Sequence, residues 1–223
     1  MADSEKIQVE IWSDVQCPFC YMGKRQFEAA LESFPGKDRV EVTWRSYQLD
    51  PGLEPRVGES IQAYLARKKG MSLEQSQGLH ARVAQSAAAL GLDYRFDTMV
   101  VANSRAAHRL IQAAKARGLG DRVEEALFRA YFTEGRDLGN QEQLVALGVA
   151  VGLSPDEATD AVEDPRGTWD KLVAEEIDLA QEFGSTGVPF FVFQRRFAVT
   201  GAQGEETFLR VLDRVGSDPG PRP

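Results

Sequence analysis

Alternating apolar and polar residues mark two strands near the start of the chain. Every second residue from Ile7 to Ile11 is apolar, which predicts a strand over residues 6–12. The same alternation predicts a second strand over residues 40–47. Apolar residues at helical spacing predict a helix between them, from Cys17 to Phe34. The first fifty residues are therefore expected to form a β-α-β unit.

The long middle of the chain shows helical patterns only. Ser72 and Gly91 bracket one predicted helix as its N-terminal cap and its C-terminal stop. Asp121 with Glu124, and Ser154 with Glu157, resemble capping boxes of two more helices. This segment is expected to form a compact helical subdomain.

Strand patterns return near the end of the chain. Residues 189–193 and 196–200 predict a pair of antiparallel strands, and residues 205–215 predict a final helix. The connecting residues, Gln194 and Arg195, lack the glycine or asparagine that two-residue hairpin turns favour. The fold class expected from these patterns is α/β.

The charge balance bears on the partners of the chain. It has 34 acidic and 26 basic residues, a net charge of −8, and no basic run longer than Arg67–Lys69. A nucleic acid partner is therefore not expected. No stretch nears the roughly 18 apolar residues of a membrane span, and the acidic N-terminus lacks a signal-peptide pattern. We expect a cytoplasmic protein without a membrane partner.

The chain has only two cysteines, Cys17 and Cys20, separated by Pro18 and Phe19. Two cysteines cannot form a disulfide framework, and their spacing at a predicted helix start is typical of a redox-active pair. Unpaired N–H groups at the start of a helix stabilise a thiolate. Cys17 is therefore expected to be the attacking nucleophile, and Cys20 the thiol that resolves the mixed disulfide.

A Cys-x-x-Cys pair can also be half of a zinc site. Structural zinc needs four ligands, and the only histidines, His80 and His108, are distant and lie on predicted helices. We therefore expect no metal, and we expect both histidines at the surface or at the edge of the core.

Three other residues near the dithiol have candidate roles. Asp14 is either a proton acceptor for the buried thiol or a solvated loop residue that caps the helix, and the sequence leaves both roles open. Lys24 and Arg25 lie two helical turns beyond Cys17, where a surface position is expected. Phe19 has no core to face and is expected to be exposed to substrate.

Three segments together resemble a known family. Residues 13–24, 187–193 and 201–203 resemble, in the same order along the chain, the DsbA-like thioredoxin family, specifically its FrnE-type branch. The resemblance implies a thioredoxin-like fold with an all-helical insertion domain. We expect a thioredoxin-like domain in two parts, residues 1–57 and 185–216, with the insertion domain of residues 58–184 between them. The proline- and glycine-rich residues 217–223 are expected to be a disordered tail.

The resemblance also implies roles for individual residues. It implies a cis peptide bond at Val188–Pro189 beside Cys17, with the backbone of Val188 presented to substrate. Phe19, Val188 and Pro189 are thus the expected substrate-binding residues. DsbA has a histidine where this chain has Phe19, and phenylalanine offers the thiolate neither charge nor hydrogen bond. The dithiol is therefore expected to be less oxidising than that of DsbA.

These expectations describe a dithiol-disulfide oxidoreductase or isomerase that acts on thiols and disulfides of proteins or small molecules. It would need no cofactor beyond its own redox-active disulfide, although glutathione remains open as a co-substrate. One alternative is a glutathione-dependent transferase or isomerase related to kappa-class transferases and 2-hydroxychromene-2-carboxylate isomerases, which resemble this chain but use serine in place of Cys17. Another is a binding module that holds unfolded segments without turnover.

Overall fold

A computed structural model describes residues 6–217, in which four strands form one mixed sheet of order β2-β1-β3-β4. The strands are β1 Ile7–Ser13, β2 Val40–Ser46, β3 Phe190–Phe193 and β4 Phe197–Thr200. Of the tail predicted over residues 217–223, Ser217 closes the last helix instead, and the remainder lies outside the described residues.

Strand pairing confirms the predicted β-α-β unit. β1 runs parallel to β2, with Ile7 opposite Val40, and antiparallel to β3, with Ile11 opposite Phe191. β3 and β4 form the antiparallel pair expected near the end of the chain. Both central strands are almost entirely buried, because helices cover both faces of the sheet.

The turn between β3 and β4 uses two residues in the left-handed region. Gln194 and Arg195 have φ values of 50° and 51°, which fits a type I′ hairpin turn built without glycine. The Gln194 side chain accepts a hydrogen bond from the backbone N–H of Gln8 and donates one to the carbonyl of Lys6, each at 3.1 Å. These contacts with the start of β1 and the residue before it stabilise a turn whose positive φ values usually favour glycine.

Nine α-helices lie in the described residues, and seven of them separate β2 from β3. They are α1 Pro18–Ser33, α2 Ile61–Lys69, α3 Leu73–Ala88, α4 Arg105–Lys115, α5 Gly120–Phe132, α6 Gln141–Val151, α7 Pro155–Glu163, α8 Thr168–Glu182 and α9 Glu205–Ser217. No helix among residues 6–217 is long and apolar enough to cross a bilayer.

Capping explains where several of these helices begin. Ser154 and Glu157 form the predicted capping box of α7, and Ser72 forms one with Gln75 at α3. The capping box predicted at Asp121 and Glu124 is wrong. The N-cap of α5 is Leu119, which cannot accept a hydrogen bond through its side chain.

Helix α1 joins two hydrophobic cores. Phe27 and Ala30 pack with the sheet and α9, whereas Cys17, Cys20 and Tyr21 pack with the helices inserted between β2 and β3. The start of α1 therefore lies where the sheet and the inserted helices meet.

Candidate active site

Cys17 is the N-cap residue of α1, directly after the loop that leaves β1. Its φ and ψ of −88° and 112° are extended, and Pro18 occupies the start of the helix, where a missing N–H costs nothing. The backbone N–H of Cys17 donates to the carbonyl of Asp14 at 2.9 Å, which closes the loop before the helix. The Cys17 sulfur is thus placed at the positive end of the helix dipole.

The two thiols have different environments. Both cysteines are free and buried, but Cys17 lines a cavity, whereas Cys20 lies one turn further into the helix and is not part of the cavity wall. Burial raises the pKa of Cys20 well above its ordinary value, and the hydrogen bond to Cys17 and the charge of a Cys17 thiolate raise it further. Cys20 therefore keeps its proton, while Cys17 faces the cavity.

The loop before β3 lies opposite the dithiol. The Val188–Pro189 peptide bond is cis, as expected, and the Cys17 sulfur lies 3.6 Å from the Val188 carbonyl oxygen. Pro189 packs against Gly23 of α1, where an added Cβ would lie 3.1 Å from the proline ring. Glycine at position 23 thus permits the close approach of this loop to the helix.

Asp14 is buried, with 1% of its surface exposed, so its predicted alternative as a solvated capping residue is wrong. Its carboxylate accepts hydrogen bonds from the backbone N–H groups of Leu49, at 2.8 Å, and Gln16, at 3.2 Å. The Nε2 atom of His108 lies 3.4 Å from the same carboxylate. Asp14 is therefore held in place beside the dithiol by three separate groups.

Both histidines are buried, contrary to the expected surface or edge positions. His108 is fully enclosed, and its Nδ1 atom makes no hydrogen bond within residues 6–217. His80 packs against Phe96 with 4.4 Å between ring centroids. Burial lowers the pKa of His80, so this ring is neutral near pH 7.

Glu124 is a buried carboxyl group that sequence reasoning missed. Its side chain accepts a hydrogen bond from Ser13, the residue before Asp14. Burial raises the pKa of Glu124 to about 7, although the Ser13 hydrogen bond and the charges of His108 and Lys24 oppose that rise. The helical spacing of Glu124 with the apolar Leu127 and Phe128 is the signal that could have identified it as inward-facing.

Lys24 is also buried, so its predicted surface position is wrong. Its ammonium group lies 2.9 Å from Asp121, lies 3.5 Å from Glu125 and pairs with Glu28. These carboxylates raise the pKa of Lys24 above its ordinary value although burial alone would lower it. Arg25 is partly buried and pairs with Glu28 and Glu125. The pairs between α1 and α5 join the helix that carries the dithiol to the inserted helices.

A cavity of about 420 Å³ opens beside Cys17. Asp14, Phe19 and Val188 line it together with Cys17, so the structure brings these expected site residues to one place. Phe19 is 49% exposed, which confirms its expected exposure. Pro189 and Cys20 are not among the residues that line the cavity, so Pro189 shapes the site without lining it. No cluster of three metal-ligating side chains occurs among residues 6–217.

The fold and the dithiol define a thioredoxin-fold protein with a Cys-x-x-Cys pair at the start of a helix and a helical insertion between its second and third strands. The chain belongs to the family described as DSBA-like thioredoxin domain, whose model matches residues 8–213.

Individual relatives agree with this family. A probable DsbA oxidoreductase from Streptomyces coelicolor has a similar structure, with 38% identity, a TM-score of 0.90, and coverage of 97% of this chain and 93% of that one. The uncharacterized protein YwbO of Bacillus subtilis is 25% identical over 210 residues, 92% of this chain and 96% of YwbO. The cytosolic disulfide reductase DsbM from Pseudomonas aeruginosa, solved with GSH, shares the fold at 22% identity and a TM-score of 0.67, with coverage of 93% and 98%.

Proposed function

We propose that the protein is a thiol-disulfide oxidoreductase in which Cys17 attacks and Cys20 resolves. The observation that carries this proposal is the asymmetry of the pair: Cys17 opens onto a cavity, whereas Cys20 is buried with a raised pKa. A nucleophilic thiol must be accessible to the substrate, whereas a resolving thiol has to reach only the sulfur of the neighbouring cysteine. Membership of the DSBA-like family supports the same chemistry.

The proposed reaction has two exchange steps. The Cys17 thiolate attacks one sulfur of a substrate disulfide, so a mixed disulfide forms and the other substrate sulfur leaves as a thiolate. The Cys20 thiol then loses its proton and attacks the Cys17 sulfur, which releases the second substrate thiolate. Two electrons pass from the dithiol to the substrate, and the two product thiolates take up two protons, which balance the one released when Cys17 ionises and the one lost by Cys20. The reverse sequence oxidises a substrate dithiol.

Asp14 is the proposed acceptor of the Cys20 proton. The charge of its carboxylate raises the pKa of Cys20, while its backbone N–H stabilises the Cys20 thiolate, so Asp14 is close to the resolving thiol. The Val188 backbone is the proposed docking segment for an extended substrate, because it lies beside Cys17 in the wall of the cavity.

We propose that residues 58–184 form the insertion domain that shapes access to the dithiol, between the two parts of the thioredoxin-like domain. We also propose that the protein works in the cytoplasm and that its dithiol is less oxidising than that of DsbA. The chain has only two cysteines, and a cytosolic disulfide reductase shares its fold, and both observations support this setting.

Two assays separate this function from its main alternative. The reduction of insulin by dithiothreitol tests disulfide exchange, and the conjugation of chlorodinitrobenzene with glutathione tests transferase activity. We expect acceleration in the first assay that is lost in Cys17→Ser, and none in the second. A 2-hydroxychromene-2-carboxylate isomerase shares the fold and motivates the glutathione-dependent alternative, and transferase activity that survives in Cys17→Ser would establish it in place of exchange.

A further inference from the structure

The cavity beside Cys17 is apolar along most of its wall. Helices α2 and α3, the segment between α3 and α4, and the end of α5 contribute apolar side chains to the wall, which include Leu65, Leu79, Val83, Met99 and Phe132. At about 420 Å³ it exceeds the roughly 150 Å³ that encloses a benzene ring in another protein. The space therefore suffices for a substantial apolar group directly beside the nucleophile.

Two buried polar groups in the wall are available to a ligand. Tyr131 is 2% exposed and lines the cavity. His80 donates from Nδ1 to the Ser76 carbonyl at 2.9 Å, which leaves its Nε2 atom as an acceptor. The Tyr131 hydroxyl and the His80 ring nitrogen can therefore form hydrogen bonds with a molecule in the cavity.

Among residues 6–217, the cationic side chains that line this cavity lie at its exposed rim. Lys68 and Lys69 stand there on α2, and Lys68 already pairs with Asp50 at 2.6 Å. His80 carries no charge because burial lowers its pKa. The inner wall therefore offers little to a substrate that would bury several carboxylates, since an unpaired charge is expensive to desolvate.

We propose that the cavity binds a compact aryl or alkyl group attached to the sulfur that Cys17 attacks, in a low-molecular-weight disulfide, and that the Tyr131 hydroxyl donates to a polar atom of that group. This inference rests on the proposed function. It names the substrate class: small disulfides or thiosulfonates with an apolar substituent, in preference to the highly charged disulfide of glutathione. Binding places the reacting sulfur next to Cys17 before exchange begins.

The test uses two reagents that differ only in the group they deliver. Methyl and benzyl methanethiosulfonate each react with a thiolate to form a mixed disulfide and release methanesulfinate. Their second-order rates with the reduced protein are measured by stopped flow, and each is divided by the rate with a small reference thiol. Burial of the phenyl group predicts a normalised advantage of at least about tenfold for the benzyl reagent.

Matched variants test whether the faster reaction of the benzyl reagent depends on the cavity wall. Leu79→Glu places a charge in the cavity wall from a half-buried position on α3, and should remove the benzyl advantage, measured as the ratio of the benzyl rate to the methyl rate in the same variant. Leu73→Glu makes the same change at an exposed position of α3 that is not part of the wall, and should keep the advantage. Tyr131→Phe should slow phenacyl methanethiosulfonate, which carries a ketone oxygen, several-fold more than the benzyl reagent.

The outcomes separate the inference from the proposed function. Rapid methyl transfer to Cys17 and release of methanethiol by Cys20, with no benzyl advantage, would overturn the inference and leave the function intact. No reaction at Cys17 with either reagent would refute the function itself. An advantage seen only for a phenylalanine next to the cysteine of a peptide disulfide would assign the cavity to protein substrates and overturn the inference.

Discussion

The contact between α1 and the loop that holds Val188 predicts the effect of one added methyl group. A Cβ at position 23 would lie 3.1 Å from the Pro189 ring and 3.3 Å from the Phe191 ring. Both distances are shorter than ordinary van der Waals contacts. Pro189 and Phe191 are buried, and Phe191 also packs against Phe27 and Phe208, so neither ring has free space to move into. Gly23→Ala should therefore strain this contact.

Two effects of opposite sign determine the size of the change. Alanine in a helix interior is favoured over glycine by roughly 0.5–1 kcal/mol, whereas overpacking a buried contact typically costs about 1–3 kcal/mol. Gly78 in α3 provides a matched control. A Cβ there would contact only Arg82, at 3.7 Å, so Gly78→Ala should gain helix stability without straining a packed contact. The difference between the two variants isolates the contact at Gly23.

Urea denaturation followed by circular dichroism gives the free energy of unfolding of each variant. We expect Gly78→Ala to be more stable than the parent protein by up to about 1 kcal/mol, and Gly23→Ala to be less stable than Gly78→Ala by about 1–3 kcal/mol. Gly23→Ala should also change the rate of Cys17 alkylation, because Val188 and the dithiol meet at this contact. Equal gains in stability for both variants would refute the close approach of α1 to Pro189.

Two further predictions concern protonation. Glu124→Gln should stabilise the protein at pH 8 but not at pH 4. The folded-state pKa of Glu124 is raised from 4.5 to about 7, so ionisation of this carboxyl destabilises the folded parent protein as the pH rises through that window. The complete loss of folding stability is about 3 kcal/mol. Urea titrations of both proteins from pH 4 to 8.5 measure this, and a stability difference that does not vary with pH would contradict it. Iodoacetamide at pH 7 should label Cys17 well before Cys20, because burial raises the pKa of Cys20. Peptide mass mapping identifies which cysteine is modified first. Equal labelling of Cys17 and Cys20 would contradict the proposed difference between the two thiols.

The sheet and the dithiol could be predicted from the sequence because their signals are local. Alternation with a period of two placed β1 and β2, and the pairing of Ile7 with Val40 agrees with it. The Cys-x-x-Cys spacing between a strand and a helix likewise lies within a few residues. The cis bond at Val188–Pro189 was expected only through the family resemblance, since most X-Pro bonds are trans.

The electrostatic surroundings of the dithiol could not be predicted because their partners lie far apart in sequence. Lys24 was expected at the surface because a lysine is seldom buried without partners, and its partners on α5 are about a hundred residues away. Asp14 and His108 meet only because the inserted helices pack against the start of α1. The local sequence around Glu124 matches a capping box, but tertiary packing places the Glu124 side chain inside the protein.

The division of roles within the dithiol is tested most directly by trapping the mixed disulfide. Reduced Cys17→Ser and Cys20→Ser variants are mixed with a disulfide substrate, quenched in acid and weighed by intact mass spectrometry. Since Cys20→Ser can attack but cannot resolve, it should accumulate one substrate adduct per chain, on Cys17, whereas Cys17→Ser should remain unmodified. An adduct on Cys20 in Cys17→Ser, formed as fast as the adduct on Cys17, would contradict the assignment of Cys17 as the nucleophile.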